Sequence, residues 1–166
     1  MAVVAELVEV DGLLTPGVHK LSLDELEQFA APPFGDSLLR QAVVAGVRAW
    51  TLRASVYLGP GRLLVGGGFV SVAEPTDTAL VVYLPADTNL PAAAAVEFVA
   101  LRDIVYGSPG SGGTMRESLP VSGLVDAYLA DRIEERSYRA ALSVVIGADG
   151  FGVDGATKGY IEIEVN

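Results

Sequence analysis

The sequence predicts an α/β (α+β) fold in which helices flank a small mixed β-sheet. Three observations carry that expectation. Residues 78–84 (TALVVYL) are nearly all apolar or β-branched, as suits a central strand covered on both faces. Residues 160–165 (YIEIEV) alternate strictly, the mark of a strand with two unlike faces. Between them and the N-terminus, Leu39, Val43, Val47, Trp50 and Ala54 recur at three- and four-residue steps, which places one face of a long helix against a core. Strands separated by helices build a layered fold. A length of 166 residues falls within the range of one domain, so residues 1–166 are read as a single unit.

The elements follow in order. Residues 3–10 mix apolar residues with Glu6 and Glu9 and read as an edge strand. Residues 11–19 (DGLLTPGVH) hold two glycines and a proline and form a turn-rich lead-in. Ser22 and Glu25 stand at capping-box spacing and open a short helix to about Ala30, where Pro32, Pro33 and Gly35 end it. Asp36 or Ser37 caps the long helix, which runs to about Tyr57 with Arg40, Gln41, Arg48 and Arg53 off its buried stripe. Gly59, Pro60 and Gly61 feed a strand at 62–65. The glycines Gly66–Gly68 come next, then a loop with Glu74, Pro75 and Asp77, then the strand 78–84. Residues 92–105 read as a helix with Ala95, Val96 and Val99 inward, although 98–106 also fits a strand. Residues 107–113 (GSPGSGG) form a surface loop. Ser122 caps a further helix to about Leu142, whose acids and arginines pair on an exposed face. Residues 147–159 are a second glycine-rich turn region before the final strand.

Composition narrows the function classes. Half of the residues are hydrophobic, so a core forms without staples. The chain has no cysteine and a single histidine, which excludes disulfides, thiolate metal sites and most histidine-based centres. Net charge is −10, with only Lys20 and Lys158 as lysines, which argues against gripping a phosphate backbone and so against a nucleic-acid partner. No segment is apolar and long enough for a membrane span, and the acidic N-terminus does not read as a signal peptide. The expectation is a cytoplasmic protein without a membrane partner.

Three stretches carry a family resemblance. The first is LLTPGVH (13–19), followed by Asp24, Glu25, Phe29 and then Arg40; the second is GGGFV (66–70) with Pro75 and Asp77; the third is FGVDGATKG (151–159) leading into the last strand. Together they resemble an uncharacterised bacterial and phage family with a nucleotidyltransferase-like fold, over about residues 12–163. The resemblance implies a Gly-Ser pair for nucleotide phosphates, an Asp-x-Asp pair for magnesium and a third acid on a later strand. Here Gly67 fits the glycine, and Gly68 stands where serine is expected. Asp77 fits the first aspartate, and Ala79 takes the place of the second. Glu162 and Glu164 are the candidates for the third acid. Gly66, Gly67, Gly68 and Lys158 are the candidates for nucleotide contact. Two-metal chemistry needs several carboxylates around its cations, so the one missing at Ala79 implies a degenerate member.

Other patterns are weaker. Residues 107–114 (GSPGSGGT) match a phosphate loop except for the lysine it needs. Asp149 and Asp154 miss the calcium-loop ladder, which favours a hairpin turn. His19 has no second ligand and reads as a structural hydrogen-bonder. No serine sits in a nucleophile elbow. Tyr128 and Tyr138 mark a candidate partner surface. The expected function is therefore a non-catalytic protein that acts by binding or homo-oligomeric assembly, with no cofactor, such as a subunit of a phage particle. The alternative is an active, magnesium-dependent nucleotidyltransferase of toxin–antitoxin or defence type, using Asp77 as catalytic and metal residue with Glu162 or Glu164.

Overall fold

A computed structural model describes residues 4–35, 37–72, 78–87, 103–106, 115–118, 121 and 123–166. The described strands are β1 (Val18–Lys20), β2 (Gly61–Gly66), β3 (Ala79–Pro85), β4 (Asp103–Tyr106), β5 (Met115–Ser118), β6 (Val125–Leu129), β7 (Val144–Ile146), β8 (Gly152–Thr157) and β9 (Tyr160–Val165). Helix α1 spans Leu38–Leu58 and α2 spans Glu135–Leu142, with short 3-10 turns at Val4–Leu7, Glu25–Ala30 and Gly67–Val70. Five strands form one sheet in the order β1-β9-β2-β3-β6. Its two outer pairs, β1–β9 and β3–β6, are parallel, while β2 runs antiparallel to both β9 and β3. The remaining strands make two antiparallel pairs, β4–β5 and β7–β8. This is a mixed α+β fold, as the sequence predicts.

Strand alternation sorts the side chains into two cores. On one face Leu63, Val65, Val81, Tyr83, Ile161 and Ile163 pack with Val43, Val47, Trp50 and Ala54 of α1. On the other face Leu64, Val82, Leu84 and Tyr160 pack with Leu142 of α2. β3 is thus covered on both sides. Helix α1 begins at Ser37, whose hydroxyl accepts from the Arg40 amide at 3.1 Å, and ends at Gly59.

Four expectations are corrected. The edge strand at 3–10 is instead a 3-10 turn, because Val4, Leu7 and Val8 all contact the core and sit at helical spacing; only Val8 pairs, in an isolated bridge with Leu14. The helix from Ser122 to Leu142 is split. Its first half is β6, where Val125 and Ala127 are buried and alternate with Asp126 and Tyr128, and parallel pairing with β3 overrides the local helix signal. Asp131 then accepts the amides of Ile133 and Glu134 and turns the chain into the shorter α2. The lead-in before Ser22 contains β1, a strand the turn residues conceal. Leu39, expected inward, is 45% exposed, while Arg40, expected outward, is buried. Where 92–105 reads as a helix with a strand at 98–106 as the alternative, the described part, β4, is the strand; the rest, like the loop at 107–113, lies outside the described residues.

The capping-box pair does form. The Ser22 amide donates to Glu25 Oε2 at 2.8 Å and the Glu25 amide donates back to Ser22 Oγ, but the turn it opens is 3-10 rather than α. No helix among the described residues is long and apolar enough to cross a membrane.

Core truncation separates the two faces of α1. Trp50, against the ring of Tyr83 at 6.2 Å, is nearly fully buried. We expect Trp50→Ala to destabilise the fold by about 3–5 kcal/mol. Leu39→Ala should stay within about 0.5 kcal/mol, both read from urea denaturation midpoints.

Candidate functional site

The three sequence stretches, up to about 140 residues apart, meet around the turn that follows β2. Gly66 closes β2 and Gly67 turns the chain with φ +76°, a conformation open to glycine at little cost. A Cβ on Gly66 would stand 2.6 Å from Leu142 Cδ2, so α2 packs on bare backbone there. Gly68 continues the 3-10 turn, and its carbonyl accepts the Ser71 amide. Immediately before the first stretch, the carbonyl of Gly12 accepts the Val72 amide at 2.7 Å. From the third, Lys158 Nζ donates to the Gly67 carbonyl at 3.3 Å, and the Gly159 amide donates to Leu14 at 2.8 Å. Gly159 has no room for a side chain, because a Cβ would collide with the Thr15 carbonyl and lie 2.6 Å from His19 Nε2. His19 Nε2 lies 2.7 Å from that same carbonyl, which can only accept, so this nitrogen carries the proton. His19 is the structural hydrogen-bonder the sequence predicts.

Arg40 fastens the turn from the α1 side. Its Nη1 donates to the carbonyls of Phe29 and Phe69 at 3.2 and 2.9 Å, and its Nη2 to Ser71 at 2.7 Å. Desolvation by burial lowers its pKa from the ordinary value. One rigid fork thus ties two segments of backbone, around Phe29 and around Phe69–Ser71, to α1, which a flexible ammonium does poorly.

The remaining site candidates disperse. Asp77 lies outside the described residues. Ala79 is fully buried beneath α1, on the same face as Val81. Glu162 and Glu164 project from the opposite face of the sheet, in step with Tyr160. Lys158 is not a surface lysine, since only 1% of it is exposed.

Glu162, 7% exposed on an interior strand, is the centre of an ion cluster. Arg139 Nη2 donates to Glu162 Oε2 at 2.5 Å, Arg62 approaches the same oxygen at 3.5 Å, and Arg139 Nη1 donates to the Tyr160 hydroxyl. Arg62 also binds Glu135 with both amino groups, at 3.0 and 2.9 Å, and Arg139 reaches Glu135 from one helical turn away. Burial opposes the charge on Arg139, but hydrogen bonds to Glu162, Tyr160 and Glu135 outweigh it, and its pKa is raised. The hydrogen bond to Glu135 likewise raises Arg62. Beside the cluster a cleft of about 380 Å³ is lined by Arg62, Asp131, Arg132, Glu135 and Glu164. Its charges are mixed and its best-placed guanidinium is already spent on Glu135. Among the described residues no three His, Cys, Asp or Glu side chains gather as a set able to hold a metal ion.

The sequence reading missed the cluster. Glu135 and Arg139 pass for an ordinary exposed pair at i, i+4. The available signal was Glu162 itself: a carboxylate between two isoleucines on a buried strand demands a counter-charge, and Arg62 is the one base on β2.

Two outcomes follow. Arg40→Met removes the donor that meets the carbonyls of Phe29, Phe69 and Ser71 and should cost on the order of 3 kcal/mol or more in urea unfolding, with Arg40→Lys recovering only part. The second concerns pH. The hydrogen bond from Arg62 is the largest cause holding the Glu135 carboxyl below its ordinary value of 4.5; burial opposes it and Arg139 adds to it. A depressed carboxylate contributes its full stability above the unfolded value and loses it as pH falls through the folded one. Glu135→Gln should therefore cost about 1.5–3 kcal/mol at neutral pH. That gap should close as the urea midpoints of both proteins are followed below pH 4.5.

No curated protein and no solved structure matches the chain. Residues 8–164 match the model of a family of unknown function, DUF6932, and since that match takes in nearly the whole chain, the protein belongs to that family.

Proposed function

We propose that the protein is a non-catalytic member of a degenerate nucleotidyltransferase-like lineage, and that it acts by binding or by assembly with copies of itself. The observation that carries the reading is the engagement of Glu162. A carboxylate that is to ligate magnesium must offer its oxygens to the cation, and this one is neutralised by Arg139 and Arg62. Glu164 sits on the rim of the cleft, and Ala79, at the position the resemblance gives to the second aspartate, faces the other side of the sheet. The described donors do not fit a two-metal site. Loss of one bridging carboxylate forfeits several kcal/mol of transition-state stabilisation, and each ~1.36 kcal/mol is tenfold in rate. The glycine turn fares no better as a phosphate cradle, since the Lys158 ammonium is buried against the Gly67 carbonyl and Gly68 offers no hydroxyl.

Assembly is supported by large apolar side chains left in solvent, Leu38 at 82% and Val56 at 78% exposure among them. The net charge of −10 disfavours nucleic acid as partner. On this reading the protein works in the cytoplasm, or in a virion if a phage encodes it.

Calorimetry with ATP, CTP and GTP in the presence of magnesium is the direct test. No heat of binding is expected with any nucleotide. Magnesium-dependent binding that disappears in Asp77→Ala would overturn the reading in favour of an active nucleotidyltransferase.

A further inference from the structure

The cleft beside the Glu162 cluster lies at the opposite end of β2 from the glycine turn, where Gly61 and Arg62 begin that strand. Because β2 runs antiparallel to both of its neighbours, β3, β6 and β9 all point the same way, and their carboxyl ends meet here. Crevices outside the carboxyl ends of parallel strands are where sheets of this kind take ligands. Leu84, Ala130 and Val165 give the cleft a buried apolar floor, and its volume of about 380 Å³ suits a small molecule.

Five charged side chains line it, and three are engaged. Arg62 forks onto Glu135, and Asp131 Oδ1 accepts the amides of Ile133 and Glu134. The other two, Arg132 and Glu164, are exposed and have no hydrogen bond or ion pair among the described residues. Glu164 decides the matter. It stands directly across the β2–β9 ladder from Arg62, yet Arg62 turns from it to Glu135 and Glu162. The cleft thus keeps one uncommitted charge of each sign above an apolar floor.

We infer that this cleft binds a small zwitterion of the amino-acid class, a free α-amino acid or a short peptide with an apolar side chain. The inference rests on the reading that the protein acts by binding, and names the ligand. The ligand's carboxylate meets Arg132, its ammonium meets Glu164, and its side chain lies on the floor. Arg132 and Glu164 are not paired with each other, which leaves a gap for a ligand whose own charges are separated. A ligand of one sign fits worse. A plain anion faces the carboxylates of Glu164, Glu135 and Asp131 in a protein of net charge −10, and a plain cation faces Arg132 and Arg62. A zwitterion offers each uncommitted group its opposite.

Calorimetry of the full chain with leucine and with leucylleucine tests this, the N-acetylated and C-amidated forms of each serving as single-charge controls. Saturable heat is expected with at least one uncapped compound, and about tenfold weaker binding with its capped forms. Arg132→Gln and Glu164→Gln should each weaken the uncapped compound about tenfold. Neither should move the melting temperature of the ligand-free protein, because both side chains are exposed and unpaired. Heat with leucine assigns the site to free amino acids, and heat with the dipeptide alone assigns it to peptides. Capped forms that bind as tightly as uncapped ones, or variants that bind unchanged, overturn the zwitterion site. So does the absence of heat with both compounds, a result that leaves the non-catalytic reading to its own test with nucleotides and magnesium.

Discussion

A carboxylate on an interior strand must be neutralised before that strand can be covered, and Glu162 sets this condition for the whole α2 side of the sheet. Its flanking isoleucines point the other way, into the core beneath α1, so the strand cannot turn the glutamate outward without losing them. Water cannot solvate it either, because Leu64 and Tyr160 crowd the same face. The answer is Arg139, carried in by α2, with Arg62 from the next strand. A buried ion pair contributes little net stability but is expensive to leave incomplete, by about 3–5 kcal/mol when one partner is removed. The position of α2 is therefore dictated as much by this demand as by Leu142.

On the other face the governing polar group is Arg40. Its guanidinium draws carbonyls of the 3-10 turn at Glu25–Ala30 and of the segment after β2 to one point. Carbonyls in irregular backbone have no ladder partners and must find donors elsewhere. Lys158 takes the carbonyl of Gly67, Arg40 those of Phe69 and Ser71, and Gly12 the amide of Val72, so the irregular segment after β2 is fastened from three sides.

The elements that sequence reading located well are those whose pattern is enforced by one dominant force. β9, β3 and α1 have strong periodicity and fall within a residue or two of their expected bounds. β6 failed because its residues, with charged neighbours downstream, score as helix until the parallel partner β3 is known; pairing at a distance leaves no local trace. The 3-10 turn at Val4–Leu7 failed for the opposite reason, since near-alternation and an i, i+3, i+4 pattern overlap in so short a run. Within the candidate site, the three stretches were readable by order and spacing, but their meeting around the turn after β2 was not. The burial of Arg40 and Lys158 was not, because charge normally signals solvent, and only the carbonyls that meet them reverse that rule.

The parallel pairing of β1 with β9 joins segments about 140 residues apart. β9 lies between β1 and β2, yet of all the described strands it leaves the ribosome after the others. Until it emerges, β1 has no neighbour and β2 offers a bare hydrogen-bonding edge to any strand nearby. In the finished sheet β9 lies between two strands made before it, and contacts between segments so far apart in sequence are of the kind that slows folding. The nascent chain must spend that interval with an unprotected edge, a window in which chaperone binding or mispairing competes with the native register.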